Sequence, residues 1–190
     1  TMEAWASVPR PEQSQFGHDT YLSPFTYRYG SDQMRNVWSQ QRFWGNVREI
    51  WIRVAKTQME AGLVAEAQVD DLIENSDNLS VERIFQIERD PDIGTRHDVA
   101  SAILEFSEVA PLGGKILHQG LTSEDVLSNS EIMQVHDAFD TLRPKTVDVL
   151  EALAEKTTTY KNLPCMGYTH LQMAEPITMG YRFARYAQDL

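Results

Sequence analysis

One uninterrupted amphipathic run in the second half constrains this chain more than any other feature. Ile132, Val135, Phe139, Leu142, Val149, Leu153 and Tyr160 recur at close to 3.5 residues, the spacing of helices that pack along a shared seam. Thr122, Ser123, Glu124 and Asp125 stand before it. They offer two hydroxyls able to cap a helix and two acids suited to the positive end of its dipole. The spacing predicts one very long helix from about residue 122 to residue 160. Pro144 lies inside it and is expected to kink or briefly break it. Such a helix needs partners, so the expected fold is all-α, with long helices in a bundle. Asn162, Leu163 and Pro164 end the run, a loop is expected over Gly167–Gln172, and a new amphipathic helix is expected to start near Pro176 and to be still running at Leu190. The chain is therefore expected to be a piece of a longer polypeptide.

The first half carries shorter helical patterns. Val37, Trp44, Val47, Trp51, Val54 and Met59 mark one face of a long helix that begins after Ser31-Asp32 and ends at Gly62, with Arg42, Arg48 and Arg53 mostly off that face. Further helices are expected over Val64–Asn75, after the cap at Asn78-Leu79-Ser80, and over His97–Ala110. Asp90-Pro91-Asp92-Ile93-Gly94 is turn chemistry, and Lys115–Gln119 fits a helical turn. Strand signals are weak throughout. The expected organisation is a flexible lead-in over residues 1–20, a helical domain over 21–121, and the opening of a long-helix bundle over 122–190.

Composition narrows the classes of partner. With 17 basic and 28 acidic residues the net charge is -11, which disfavours nucleic acid and anionic membrane surfaces. No apolar run approaches the ~20 residues that span a bilayer, and the first residues lack the basic and apolar regions of a secretory signal. A single cysteine, Cys165, suits a reducing compartment. The five histidines, His18, His97, His118, His136 and His170, form no metal-binding spacing, and no metal is expected. Gly113-Gly114-Lys115 is not a phosphate-binding P-loop, and no Gly-x-Ser-x-Gly elbow is present.

Four clusters carry the chemistry. Tyr27-Arg28-Tyr29-Gly30-Ser31 sets a guanidinium and a phenol before a helix start, an arrangement that binds phosphate; it also reads as a surface loop. Thr95-Arg96-His97-Asp98 brings a cation, an imidazole and a carboxylate to another helix start, where Asp98 reads as a cap. His118-Gln119-Gly120-Leu121-Thr122-Ser123-Glu124-Asp125 presents hydroxyls and backbone donors at the head of the long helix, suited to a carboxylate; simple capping is the alternative. Gly167-Tyr168-Thr169-His170-Leu171-Gln172 offers His170, a residue type suited to general acid or base work near neutral pH.

Taken in order, Ser23-Pro24 with Arg28-Tyr29, Arg96-His97-Asp98-Val99, His118–Val126, and Gly167–Gln172 with Ala174-Glu175-Pro176 and Gly180 resemble the adenylosuccinate lyase family of the fumarase/aspartase superfamily. The Ser-Arg-Asn-Asp type segment of argininosuccinate lyases is absent. The resemblance implies β-elimination of fumarate from adenylosuccinate and from the succinyl-carboxamide ribotide of purine synthesis, without a cofactor, in a cytoplasmic homotetramer. It implies that Arg28 and Tyr29 hold the nucleotide phosphate and that Arg96, His97, Asp98 and His118 line the substrate site. Thr122 and Ser123 bind the succinyl part, Thr169 and Gln172 also bind substrate, and His170 is the general acid. The family's serine base is not in this sequence, so the chain alone is expected to be inactive. The alternatives are another fumarate-releasing lyase, a carboxymuconate cycloisomerase, or a non-catalytic helical interaction module.

Overall fold

A computed structural model of the chain describes residues 23, 25, 28–92 and 94–190. The expected lead-in, His18 and Tyr27 lie outside these residues. Among them the helices are α1 (Asp32–Val37), α2 (Gln40–Glu60), α3 (Glu66–Glu74), α4 (Val81–Arg89), α5 (Asp98–Val109), α6 (Ser123–Thr159) and α7 (Met179–Asp189). A short 3-10 turn covers Gly113–Ile116, and two strands, β1 (Pro164–Thr169) and β2 (Gln172–Thr178), pair antiparallel. The architecture is helical, as expected, with one small hairpin added. The chain divides into two compact units, Thr1–Asp137 and Ala138–Leu190, with the boundary inside α6.

In the first unit, local capping chemistry sets the helix starts. The hydroxyls of Ser31, Ser39 and Ser80 accept the backbone N–H of Met34, Arg42 and Arg83, satisfying donors that a helix start leaves open. Ser39 also corrects the expected single helix from Ser31 to Gly62. Its hydroxyl donates to Asn36 O while accepting from Arg42 N, so α1 closes and α2 opens on either side of an exposed Trp38.

The core combines Trp44, Val47, Trp51 and Ile52 of α2 with Val69 and Leu72 of α3, Ile84 of α4, and Val99, Ala102 and Phe106 of α5. Val126 of α6 closes it. Each valine, leucine, isoleucine and phenylalanine among them contributes roughly 1.5–3 kcal/mol when fully buried. The 3-10 turn lies so close to α3 that a Cβ on Gly113 would stand 2.4 Å from Leu72 Cγ. Asp71 pins that turn by accepting from Leu112 N and Gly113 N at 2.8 and 2.9 Å.

Among the arginines of α2, expected mostly off the apolar face, Arg48 is the exception, whereas Arg42 and Arg53 are exposed. Arg48 is buried. Its guanidinium donates to Glu105 Oε2 at 2.5 Å and to the carbonyls of Asn75, Ser76 and Asn78, and it lies 4.0 Å from the centre of the Phe106 ring.

In the second unit, α6 continues through Pro144 without a break and ends at Thr159. The segment expected as a loop is the hairpin β1–β2. Pro176 belongs to β2 opposite Met166, and α7 begins only at Met179, capped by Thr178. Both strands of a two-stranded sheet are edges, where a residue without an N–H is tolerated. Gly167 sits at the register shift between Met166 and Tyr168. Gly180 lets α7 close on the end of α6: its N–H donates to Tyr160 O, and a Cβ there would stand 2.6 Å from Thr157 O. No helix among the described residues is long and apolar enough to cross a membrane.

Candidate functional site

The first unit brings two of the four sequence clusters together. Thr95–Asp98 leads into α5, and His118–Asp125 leads into α6. At their meeting point His97 Nε2 lies 3.5 Å from Ser123 Oγ. Asp98 was the expected cap of α5, but His97 does that work: its Nδ1 accepts the N–H of Ala100 at 3.4 Å. Asp98 instead accepts the N–H of Val99 at 2.7 Å. With Nδ1 accepting, the His97 proton belongs on Nε2, which then donates to Ser123. Nδ1 also stands 3.2 Å from Asp98 Oδ1, a contact that becomes an ion pair if the ring is protonated. The loop beneath is stiffened by Thr95, whose hydroxyl donates to His97 O at 2.9 Å and bonds to the hydroxyl of Ser101.

His118 lies in the same cluster. Its Nδ1 accepts the indole N–H of Trp51 at 3.2 Å, and the two rings meet edge to face at 6.1 Å. Its pKa is pushed down, first by burial and then by the nearby charge of His97, against an upward pull from Asp125. The imidazole is therefore a neutral group near pH 7. At the head of α6, one of the donors expected to receive a carboxylate is already used: Thr122 N donates to Asp125 Oδ2 at 2.8 Å, half of a capping box. Ser123 is partly covered and Thr122 exposed.

Two of the four non-glycine left-handed residues among those described lie here. Arg96 (φ 51°) and His118 (φ 63°) hold left-handed backbone without being glycine, at a cost of order 1–3 kcal/mol each. Arg96 and His97 are exposed. Sequence reading missed Trp51 as a site residue, because it counted only as an apolar position of α2. The one available signal was chemical: a buried indole N–H needs an acceptor.

Arg28 and Tyr29 are exposed just ahead of α1, and Tyr29 O accepts from Arg35 Nη1 at 3.3 Å. Thr169, His170 and Gln172 belong to the second unit. Thr169 and Gln172 pair across the hairpin, and His170 and Leu171 form its exposed two-residue tip with φ of 48° and 63°. Beside them Gly167, Tyr168, Glu175, Tyr181 and Arg182 line an open groove of about 700 Å³, braced by Arg182 Nη2 donating to Met166 O at 2.8 Å. Among the described residues no group of His, Cys, Asp and Glu is placed to hold a metal ion.

The family model described as "Lyase" matches residues 26–190. An adenylosuccinate lyase from Saccharomyces cerevisiae is 31% identical over 91% of this chain and 36% of its own length. One from Schistosoma mansoni is 32% identical over 90% of this chain and 35% of its own. One from Methanocaldococcus jannaschii is 28% identical over 92% and 37%. The chain thus spans a little over a third of the length of these relatives. Among solved structures, a fumarate lyase from Mesorhizobium sp. BNC1 superposes with a TM-score of 0.73 at 26% identity, over 84% of this chain and 38% of that one. A β-carboxy-cis,cis-muconate cycloisomerase from Acinetobacter calcoaceticus shares the fold with a TM-score of 0.69 at 21% identity, over 82% and 37%.

Proposed function

The chain belongs to the lyase family, and from that premise we propose that it is the N-terminal part of an adenylosuccinate lyase. The reaction is β-elimination of fumarate from adenylosuccinate, giving AMP, and from the succinyl-carboxamide ribotide. The observation that carries this reading is the convergence of His97 and Ser123 at 3.5 Å. The two segments that bear the most specific resemblance meet at one point, although 26 residues separate that pair in sequence.

Elimination requires loss of a proton beside a carboxylate and delivery of a proton to the departing nitrogen. The carbanion formed between these events carries extra negative charge, which preorganised donors stabilise. In this reading Ser123 and Thr122 hold the carboxylates of the succinyl part, and His97, Asp98 and Arg96 position the rest of the substrate. His118 adds a neutral donor. Arg28 and Tyr29 bind the phosphate through a guanidinium and a phenol. His170 protonates the leaving nitrogen, with Thr169 and Gln172 orienting the substrate beside it. The base that takes the carbon-bound proton comes from sequence outside this chain.

Assembly is part of the proposal. Ile132 and Phe139 of α6 are exposed, as is Leu142, while Leu153 on the same helix is half-buried, and a helix with apolar side chains in water gains by packing against copies of itself. The active unit is read as a cytoplasmic homotetramer. The unpaired Cys165 and the chain's acidity fit that compartment. Sedimentation of the chain as a monomer at all concentrations would count against the assembly.

The decisive test assays the full-length protein for fumarate release from both ribotides. Activity is expected with the native residues and is expected to be lost with His170→Ala. Turnover of a succinyl substrate without phosphate, and none of either ribotide, would instead favour another superfamily reaction. An AMP soak is expected to place phosphate beside Arg28.

A further inference from the structure

We propose that Trp51 is a positioning residue of this site: its indole N–H, donated to His118 Nδ1, holds the imidazole as the neutral tautomer with the proton on Nε2, so that the edge left for a ligand is a hydrogen-bond donor and not a base. The assignment follows from inventory. An indole nitrogen can only donate, so at 3.2 Å the His118 Nδ1 must present a lone pair. The ring's one remaining proton is then on Nε2.

Trp51 is well fixed for this work. It is 3% exposed, it stacks on Phe106 at 6.5 Å, and it sits in the middle of α2 (Gln40–Glu60). Protonating His118 would put a hydrogen on Nδ1, break the bond and leave the indole N–H buried without an acceptor. Both losses oppose the charged ring. The groups acting on the ring by charge are Asp125, which favours protonation, and His97, which opposes it. Burial of the ring acts in the same direction as His97.

The meaning for substrate rests on the lyase reading. An anionic carboxylate or phosphate oxygen accepts from Nε2–H, whereas a lone pair at that edge would repel it. Proton abstraction by His118 is thereby ruled out of the reaction, because its basic nitrogen is committed to Trp51. The tautomer itself does not depend on any substrate, so its test is separate.

That test is nitrogen-15 NMR of the 190-residue chain. At pH 7.5 a scalar coupling across the N–H···N bond is expected between Trp51 Nε1 and His118 Nδ1, with Nδ1 shifted as an unprotonated and Nε2 as a protonated nitrogen. The coupling is expected to vanish as His118 titrates. In Trp51→Phe, which keeps an aromatic ring and removes the donor, the His118 titration is expected to move upward. A protonated Nδ1, or no coupling in the native chain, overturns the proposal; if Trp51→Phe does not fold, the native measurement decides alone. A variant that folds with the His118 titration unmoved would also overturn it. No fumarate release by the native full-length protein, with the tautomer intact, would fault the lyase reading instead.

Discussion

Arg48 and Glu105 face each other at 2.5 Å with side chains only 3% and 2% exposed, and neither charge depends on the other alone. Three carbonyls, of Asn75, Ser76 and Asn78, share the guanidinium. Ser80 N donates to Glu105 Oε1 at 2.8 Å. Through this pair α2 and α5 hold the connection between α3 and α4. Removing one partner leaves a buried charge, which costs about 3–5 kcal/mol. Glu105→Ala is expected to lose stability of that order in urea unfolding. The double variant Arg48→Met with Glu105→Leu is expected to recover only part of it, since the Ser76 and Asn78 carbonyls and the Ser80 N–H lose these partners, while Asn75 O keeps the Asn78 N–H at 3.2 Å. Full recovery would show that the pair acts alone.

The lowered pKa of His118 has a signed consequence for stability. Unfolding restores its ordinary affinity for protons, so just below pH 6.5 the unfolded chain binds more protons than the folded one. Stability is expected to fall as pH drops from 6.5 through the folded-state value and to level off below it. Glu108 behaves with the same sign in a lower window: Arg83 holds its carboxyl below the ordinary 4.5, and that contribution is lost as pH falls past 4.5. The pair is exposed, so this second effect is small. Urea midpoints against pH, compared with His118→Asn, check the first window. The asparagine amide oxygen can still accept from Trp51, and the slope just below pH 6.5 is expected to flatten.

Two glycines should respond in opposite directions to alanine. Gly45 lies within α2 and a Cβ there would meet nothing within 4 Å, so Gly45→Ala is expected to stabilise by about 1 kcal/mol through helix propensity. At Gly180 a Cβ would stand 2.6 Å from Thr157 O and 2.7 Å from Lys161 Cα, both backbone. Gly180→Ala is expected to destabilise by about 1–3 kcal/mol. Thermal melts followed by circular dichroism distinguish the two.

At the hairpin tip Leu171 is 94% exposed and holds φ at 63°. Left-handed backbone costs a side-chain-bearing residue about 1–2 kcal/mol, partly offset by glycine's greater freedom when unfolded. Leu171→Gly is therefore expected to slow amide exchange across β1 and β2, by an amount equivalent to about 0.5–1 kcal/mol.

Helix starts were legible wherever the cap is a short side chain next to its own helix. Ser31, Ser80 and the Thr122–Asp125 group all mark starts as read. Ser39 was overlooked because it interrupts an apolar spacing that continues across it. The hairpin was not legible either. Its strands, Pro164–Thr169 and Gln172–Thr178, are mostly exposed, so they lack the alternation that one buried face imposes. Two of the four chemical clusters were placed together by the fold, with His97 taking the capping role assigned to Asp98.

The helical class, the long α6 and the capped starts can be read from the residue pattern, because each depends on contacts within a few residues, which leave a periodic trace in the letters. Tertiary structure alone decided that Arg48 goes inside, that Trp51 N–H meets His118 Nδ1 across 67 residues, and that His97 reaches Ser123. A lone arginine, tryptophan or histidine has no period. Its partner is chosen only when distant helices pack and a buried donor or charge must find what satisfies it.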